Sequence, residues 1–132
     1  MFHTKIRVNF YDCDPAGIIF YANIFKMAHT AYEQLFEKIS PDRNIFFDEE
    51  IVLPITHSEA NYFMPLKTGQ ITDVSVTVPV IKESSFELNY LFEVNGDKHA
   101  EVKTVHVCVN KTSFMKNALP HIIQKGLKGE SE

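Results

Sequence analysis

Between residues 71 and 110 apolar and polar side chains alternate through three successive runs, while only one earlier stretch repeats every three to four residues. In "ITDVSVTVPV" Val74, Val76, Val78 and Val80 share one parity, and in "FELNYLFEV" so do Phe86, Leu88, Tyr90, Phe92 and Val94. Successive strand residues point to opposite faces, so each run predicts a strand with one apolar side. "NGD" between the second and third runs is a tight hairpin signal. In the third run, 98–110, Ala100 and Val102 share one parity but Val105, Val107 and Val109 share the other. That change of phase predicts a β-bulge near Lys103-Thr104. Residues 51–64 predict a further strand, with Pro54 at an edge or a bulge, and "PLKTGQ" after it a turn. Residues 3–10, with Ile6, Val8 and Phe10 on one side, predict the first strand.

The single helical period starts at about residue 20. Tyr21, Ile24, Phe25, Ala28, Ala31, Tyr32, Leu35, Phe36 and Ile39 form one broad stripe, ending before Ser40-Pro41. A shorter C-terminal helix is expected over about 118–127, and "PDRNIFFDEE" reads as a loop. The order is strand, long helix, then strands joined by tight turns. Runs of strands without βαβ alternation predict an α+β chain, an antiparallel five-stranded sheet wrapped around one long central helix. One helix cannot cover both faces and both edges of such a sheet, so association of subunits is expected. Residues 1–132 contain no repeat or linker and are expected to form a single domain.

A net charge of −4 argues against nonspecific nucleic-acid binding. Cys13 and Cys108 lie in no CxxC pattern and no His/Cys cluster, which fits a reducing compartment and predicts no metal site. "MFHTKIRVNF" lacks the apolar core of a signal peptide, and no run approaches the ~18 apolar residues of a membrane span. A cytoplasmic protein is expected.

"YDCDPAGIIFYANIF" places Asp12 and Asp14 in a turn that leads into the long helix. A helix N-terminus leaves several amide hydrogens without intrahelical partners, and with the macrodipole they favour negative charge. A carboxylate beside them would give one unit holding a nucleophile or base and an oxyanion donor. Acyl transfer and hydrolysis need those two parts around one carbonyl. The plain alternative is an aspartate cap and an Asp-Pro turn, for which one aspartate suffices.

The stretch resembles the signature of the hotdog-fold acyl-CoA thioesterases of the 4-hydroxybenzoyl-CoA thioesterase type. Tyr11, Asp12, Asp14, Gly17, Ile18, Ile19, Phe20 and Tyr21 fill its pattern. The resemblance implies that Asp14 is catalytic, as nucleophile or general base. It implies that the Tyr21 amide polarises the thioester carbonyl, that Gly17 lets the turn approach the substrate, and that the enzyme works as a dimer or a dimer of dimers. Asp12 is expected to organise the turn. The substrate would be an acyl-CoA or an acyl-carrier-protein thioester. No separate cofactor is needed, because coenzyme A is part of the substrate. Phe20 and His29 are expected to contact the acyl group. His29 stands where the hydroxybenzoyl enzyme carries an acid; other aromatic groups, including bicyclic ones of quinone biosynthesis, and short-chain acyl groups stay open. Lys82, Ser84 and Ser85 lie in a turn resembling the family's nucleotide-contacting segment, which carries fewer basic residues here and could be completed by a neighbouring subunit.

Glu33, four residues after His29, is the runner-up catalyst by likeness to a related hotdog subclass, although it lies on the polar side of the stripe. His57 and Glu59 share a strand parity and could face a pocket or an interface. Cys13 reads as a small packed residue. A non-catalytic hotdog module that binds acyl groups or holds an assembly together is the alternative function, and a hotdog dehydratase a third.

Overall fold

The computed structural model describes residues 1–131. Its main sheet holds β1 (Phe2–Arg7), β3 (Ile55–Tyr62), β4 (Ile71–Ile81), β5 (Ser85–Val94) and β6 (Asp97–Val107) in the order β1-β4-β5-β6-β3, antiparallel throughout. A two-stranded ribbon pairs β2 (Ile51–Val52) with β7 (Val109–Asn110). The helix α1 (Asn23–Ile39) lies on one face, and α2 (His121–Gly129) packs against α1 and β4. This is the α+β arrangement expected, five strands around one long helix.

Alternation fixes which face meets the helix. Val74, Val76 and Val78 of β4 and Phe86, Leu88, Tyr90, Phe92 and Val94 of β5 are buried. They meet Ile24, Met27, Ala28, Ala31, Tyr32, Leu35 and Phe36 of α1, which recur at spacings of three and one. Each large apolar side chain enclosed this way contributes roughly 1.5–3 kcal/mol. The "NGD" hairpin forms as expected, with Asn95 and Gly96 both at positive φ, 51° and 83°.

Four boundaries and one bulge differ from expectation. β1 ends at Arg7, because a 3-10 turn over Phe10–Asp12 follows and swings the Phe10 ring into solvent. α1 begins at Asn23, and Tyr21 is not part of its stripe: the preceding backbone is tied to another loop, and the Tyr21 ring is 67% exposed. The run 51–64 divides at Pro54 into β2 and β3, with a register shift between Ile55 and His57; β3 is an edge strand, as Pro54 suggested.

In β6 the bulge expected at Lys103-Thr104 is absent. Ala100, Val102, Thr104, His106 and Cys108 all point inward, and the β5–β6 register shift lies instead between Phe92 and Glu93. Two outward valines, Val105 and Val107, mimic a change of phase, while the inward positions carry polar Thr104 and His106. Finally, α2 starts after Pro120, whose ψ of 142° is not helical.

Candidate active site

The Asp-rich stretch forms a short hairpin. The Asp14 N–H donates to the Ile18 carbonyl and the Phe20 N–H to the Asp12 carbonyl, both at 2.9 Å, with Cys13 bridged to Ile19 between them. At the tip the Gly17 N–H donates to the Asp14 carbonyl at 2.9 Å, and Gly17 sits at φ +79°, a region open to glycine. The hairpin's far side is sewn to the turn after β3: Ile19 N–H to the Leu66 carbonyl at 2.8 Å, and Thr68 N–H to the Gly17 carbonyl at 3.1 Å.

The two aspartates have different environments. Asp12 is buried at 4% exposure; its Oδ2 accepts from the Asn9 N–H at 3.0 Å, and Lys26 Nζ lies 3.6 Å from its Oδ1. Asp14 is half-buried, and its Oδ1 accepts from the Ala16 N–H at 2.9 Å. Its Oδ2 has no protein partner among the described residues. Asp12 is thus occupied in holding the turn, as expected, and Asp14 is the carboxylate with free capacity.

The chain then enters α1 through a tightened turn. The Asn23, Ile24 and Phe25 amides donate three residues back, at 2.8, 3.5 and 3.3 Å. The Tyr21 and Ala22 amides have no protein acceptor among the described residues, and no side chain caps this end. The Tyr62 hydroxyl donates to the Tyr21 carbonyl. At Tyr21 lies a cleft of about 360 Å³ walled by Ile18, Ile19, Tyr21, Tyr62, Phe63 and Met64; the Asp14 side chain is not part of its wall. Asp14 faces Ile18 across the hairpin that forms one wall. The Tyr21 ring lines it and lies 5.0 Å, centroid to centroid, from the exposed Phe20 ring.

Other expected residues lie elsewhere. His29 is exposed on α1, 3.7 Å from Glu33, with its ring against Tyr32 and Phe46. Six residues of helix rise place it about 9 Å along α1 from Asn23, with Tyr21 further back still. Glu33 is exposed and further still. Lys82 and Ser84 occupy the β4–β5 turn, and Ser85 opens β5, paired with Val107. Tyr62, which touches Tyr21, pairs with Ala100 opposite Phe92. Seven strand residues separate the two places, about 23 Å. Within one chain the structure therefore does not bring Lys82, Ser84 and Ser85 to the hairpin. His57 and Glu59, 3.4 Å apart, face outward on β3, and Glu59 lines an outer-face groove of about 400 Å³. Cys13 is packed: the Thr68 hydroxyl donates to its Sγ at 3.1 Å.

Inside the sheet a polar set lies under the middle of α1. The Tyr90 and Thr104 hydroxyls are 3.1 Å apart, and Thr104 Oγ1 is 2.8 Å from His106 Nε2. Burial pushes the His106 imidazole down to about 4. The Leu53 carbonyl opposes this without reaching hydrogen-bond geometry at Nδ1, and His29 adds to it. Burial pushes the Tyr32 and Tyr90 hydroxyls up, and Tyr32 Oη has no partner among the described residues. Burial raises the Tyr62 hydroxyl too, helped by Tyr21.

Periodicity does not single out Asn23, Tyr62 or Lys26. Only Asn23 carries a sequence signal, since asparagine is a poor helix-interior residue that favours ends. Among the described residues no group of three or more His, Cys, Asp or Glu is placed to hold a metal ion, and no helix is long and apolar enough to cross a membrane.

Residues 8–127 match the thioesterase-like superfamily. A 1,4-dihydroxy-2-naphthoyl-CoA hydrolase from Gloeothece citriformis is 33% identical over 96% of this chain and 90% of its own. The crystal structure of a 1,4-dihydroxy-2-naphthoyl-CoA thioesterase from Synechocystis superposes with a TM-score of 0.89 at 25% identity, over 96% of this chain and 95% of that one. A gentisyl-coenzyme A thioesterase shares the fold, at a TM-score of 0.83 and 22% identity over 96% of this chain and 98% of that one. With its sheet, its single central helix and these relatives, the chain belongs to the thioesterase-like superfamily, as a thioester hydrolase of the hotdog fold.

Proposed function

We propose that this protein hydrolyses an aromatic acyl-CoA, of the bicyclic 1,4-dihydroxy-2-naphthoyl kind cleaved by the relatives named above. Two observations support the mechanism: Asp14 keeps a carboxylate oxygen free of protein partners, and the Tyr21 and Ala22 amides at the helix mouth that its hairpin leads into are unengaged. The thioester oxygen accepts from the Tyr21 N–H. Asp14 either attacks the carbonyl carbon to give a mixed anhydride, which water then cleaves, or takes a proton from the attacking water. In both routes the C–S bond breaks, CoA leaves as the thiol, and the acid is released. The helix end stabilises the oxyanion, and one such donor is worth roughly 2.7–4 kcal/mol in the transition state. Gly17 keeps the hairpin tip open to substrate, and Phe20 flanks the acyl group.

The active unit is a dimer or a dimer of dimers. Two facts support association: β3 is an edge strand almost wholly exposed, and Phe63 and Met64 beside the cleft are exposed apolar side chains. Lys82, Ser84 and Ser85 contact the nucleotide of a thioester held by the neighbouring subunit, which accommodates their distance from Tyr21. His29 contacts the far end of an acyl group across the same boundary. The reaction uses no separate cofactor, and Cys13 and Cys108, both free thiols, fit a cytoplasmic location.

A panel of aromatic and short-chain acyl-CoAs, read by free-thiol release with and without Asp14→Asn, tests this. The expected result is selective turnover of the bicyclic aromatic substrate and a drop of at least ~100-fold in the variant. Near-normal turnover by Asp14→Asn would remove the mechanism. An inert panel with tight acyl-CoA binding would favour a binding module.

A further inference from the structure

We propose that Asn23 is a positioning residue that sets the carboxylate of Asp14 against the amide of Tyr21. The inference rests on the roles given to those two residues above. Asn23 is tied to a neighbour of each, the Phe20 carbonyl next to Tyr21 and the Asp12 carbonyl two residues before Asp14. Its backbone N–H donates to the Phe20 carbonyl at 2.8 Å. That carbonyl belongs to the same planar trans peptide as the Tyr21 N–H, so pulling the carbonyl towards the helix turns the N–H the opposite way, out of the helix mouth. Its side-chain Nδ2 donates to the Asp12 carbonyl at 2.9 Å. The same carbonyl accepts from the Phe20 N–H, also at 2.9 Å. A carbonyl can only accept, which fixes the side-chain amide with its nitrogen towards the hairpin.

Asp12 is the base of the hairpin whose tip carries Asp14. One residue in the first turn of α1 therefore anchors the donor peptide with its main chain and the acid-bearing hairpin with its side chain. The side-chain link spans eleven positions of sequence and is the only side-chain hydrogen bond from α1 to the hairpin among the described residues. Lys26, on the next turn, adds a looser ionic contact to Asp12 at 3.6 Å. A cap would donate nothing to a carbonyl; it would accept from the free amides, and Asn23 does not. The amides of Tyr21 and Ala22 stay open for substrate because Asn23 faces away from them.

A displacement near 1 Å at a reacting group can cost about 100-fold in rate. Asn23→Leu keeps the branched shape and suits a helix but cannot donate. Its kcat is expected to fall by about 10- to 100-fold while KM stays within about twofold, since substrate contacts are untouched. In an Asp14→Asn background, adding Asn23→Leu is expected to have no further effect on the residual rate, because the residue acts through Asp14. If Asn23→Leu fails to fold by circular dichroism, Asn23→Ala, which also lacks the donor and adds no charge, is read in the same way. Unchanged kcat in Asn23→Leu beside an impaired Asp14→Asn, or an equal loss repeated in the double variant, overturns the positioning role alone. Wild-type turnover by Asp14→Asn overturns the catalytic role of Asp14 itself, whatever Asn23→Leu does.

Discussion

His106 is fully enclosed, against Tyr32 and stacked on Phe86 at 4.7 Å, and burial holds it neutral down to about pH 4. An unfolded chain takes up the proton at the ordinary imidazole value of 6.5. Between these values the unfolded state binds more protons, so stability falls as pH falls, and levels off below about 4 with roughly 3 kcal/mol lost. Melting temperatures from pH 7 to 4 should drop for the wild type and drop less for His106→Gln. Asp48, held low chiefly by the Arg43 guanidinium, contributes stability that fades only as pH falls through its depressed value, and does so in both proteins. Gly17 gives a second residue-level expectation. No neighbour lies within 4 Å of an added Cβ, so Gly17→Ala meets only the backbone penalty of positive φ, about 1–2 kcal/mol in urea unfolding, and Gly17→Asn less. The Tyr21 donor is main chain: Tyr21→Ala should keep most of kcat, whereas Tyr21→Pro, tolerable at a helix start, should lose it. Equal activity in both would speak against the amide. The turn-organising place of Asp12 was readable in the sequence because one turn needs one organiser. Asn23 was not, because its two bonds join residues brought together only by the hairpin.

Elements show the same division. β4, β5 and α1 are legible because their apolar spacing matches one period without interruption. β6 is not, because valines serve the outer face while the core side takes Thr104 and His106, tolerated there through hydrogen bonds that run from Tyr90 to Thr104 and from Thr104 to His106. The start of α1 is obscured because the Tyr21 ring continues the stripe's spacing, although the hairpin's bonds to residues 12 and 66 fix that backbone outside the helix. The contact between α1 and α2 could not be read at all. A Cβ at Gly126 would stand 2.9 Å from Ile39 Cγ1 and 3.0 Å from Cβ, with Cγ2 nearer still. Ile39 is β-branched and stiff, so the helices must part. Gly126→Ala should therefore lower stability by about 1–3 kcal/mol despite better helix propensity, and Ile39→Ala should cancel the clash in the double variant. Thermal unfolding of the three proteins checks this, and a stabilised Gly126→Ala would mean that the helices separate freely.

At the scale of the molecule, the sheet gives one face to α1 and leaves the other, with β3 along its edge, uncovered in the protomer. If subunits associate as proposed, light scattering should return at least twice the 15.2 kDa of one chain, and specific activity should fall on dilution into the monomer range. Full turnover by a 15.2 kDa species would refute it. Strand order has its own consequence. Phe2 pairs with Val76, so β1 has no neighbour until β4 exists, and α1 is made before every strand that covers it except β1. Contacts so distant along the chain form slowly. On the ribosome, the growing polypeptide must carry a bare greasy helix until Val107 has emerged, and that interval is when holdase chaperones would bind it.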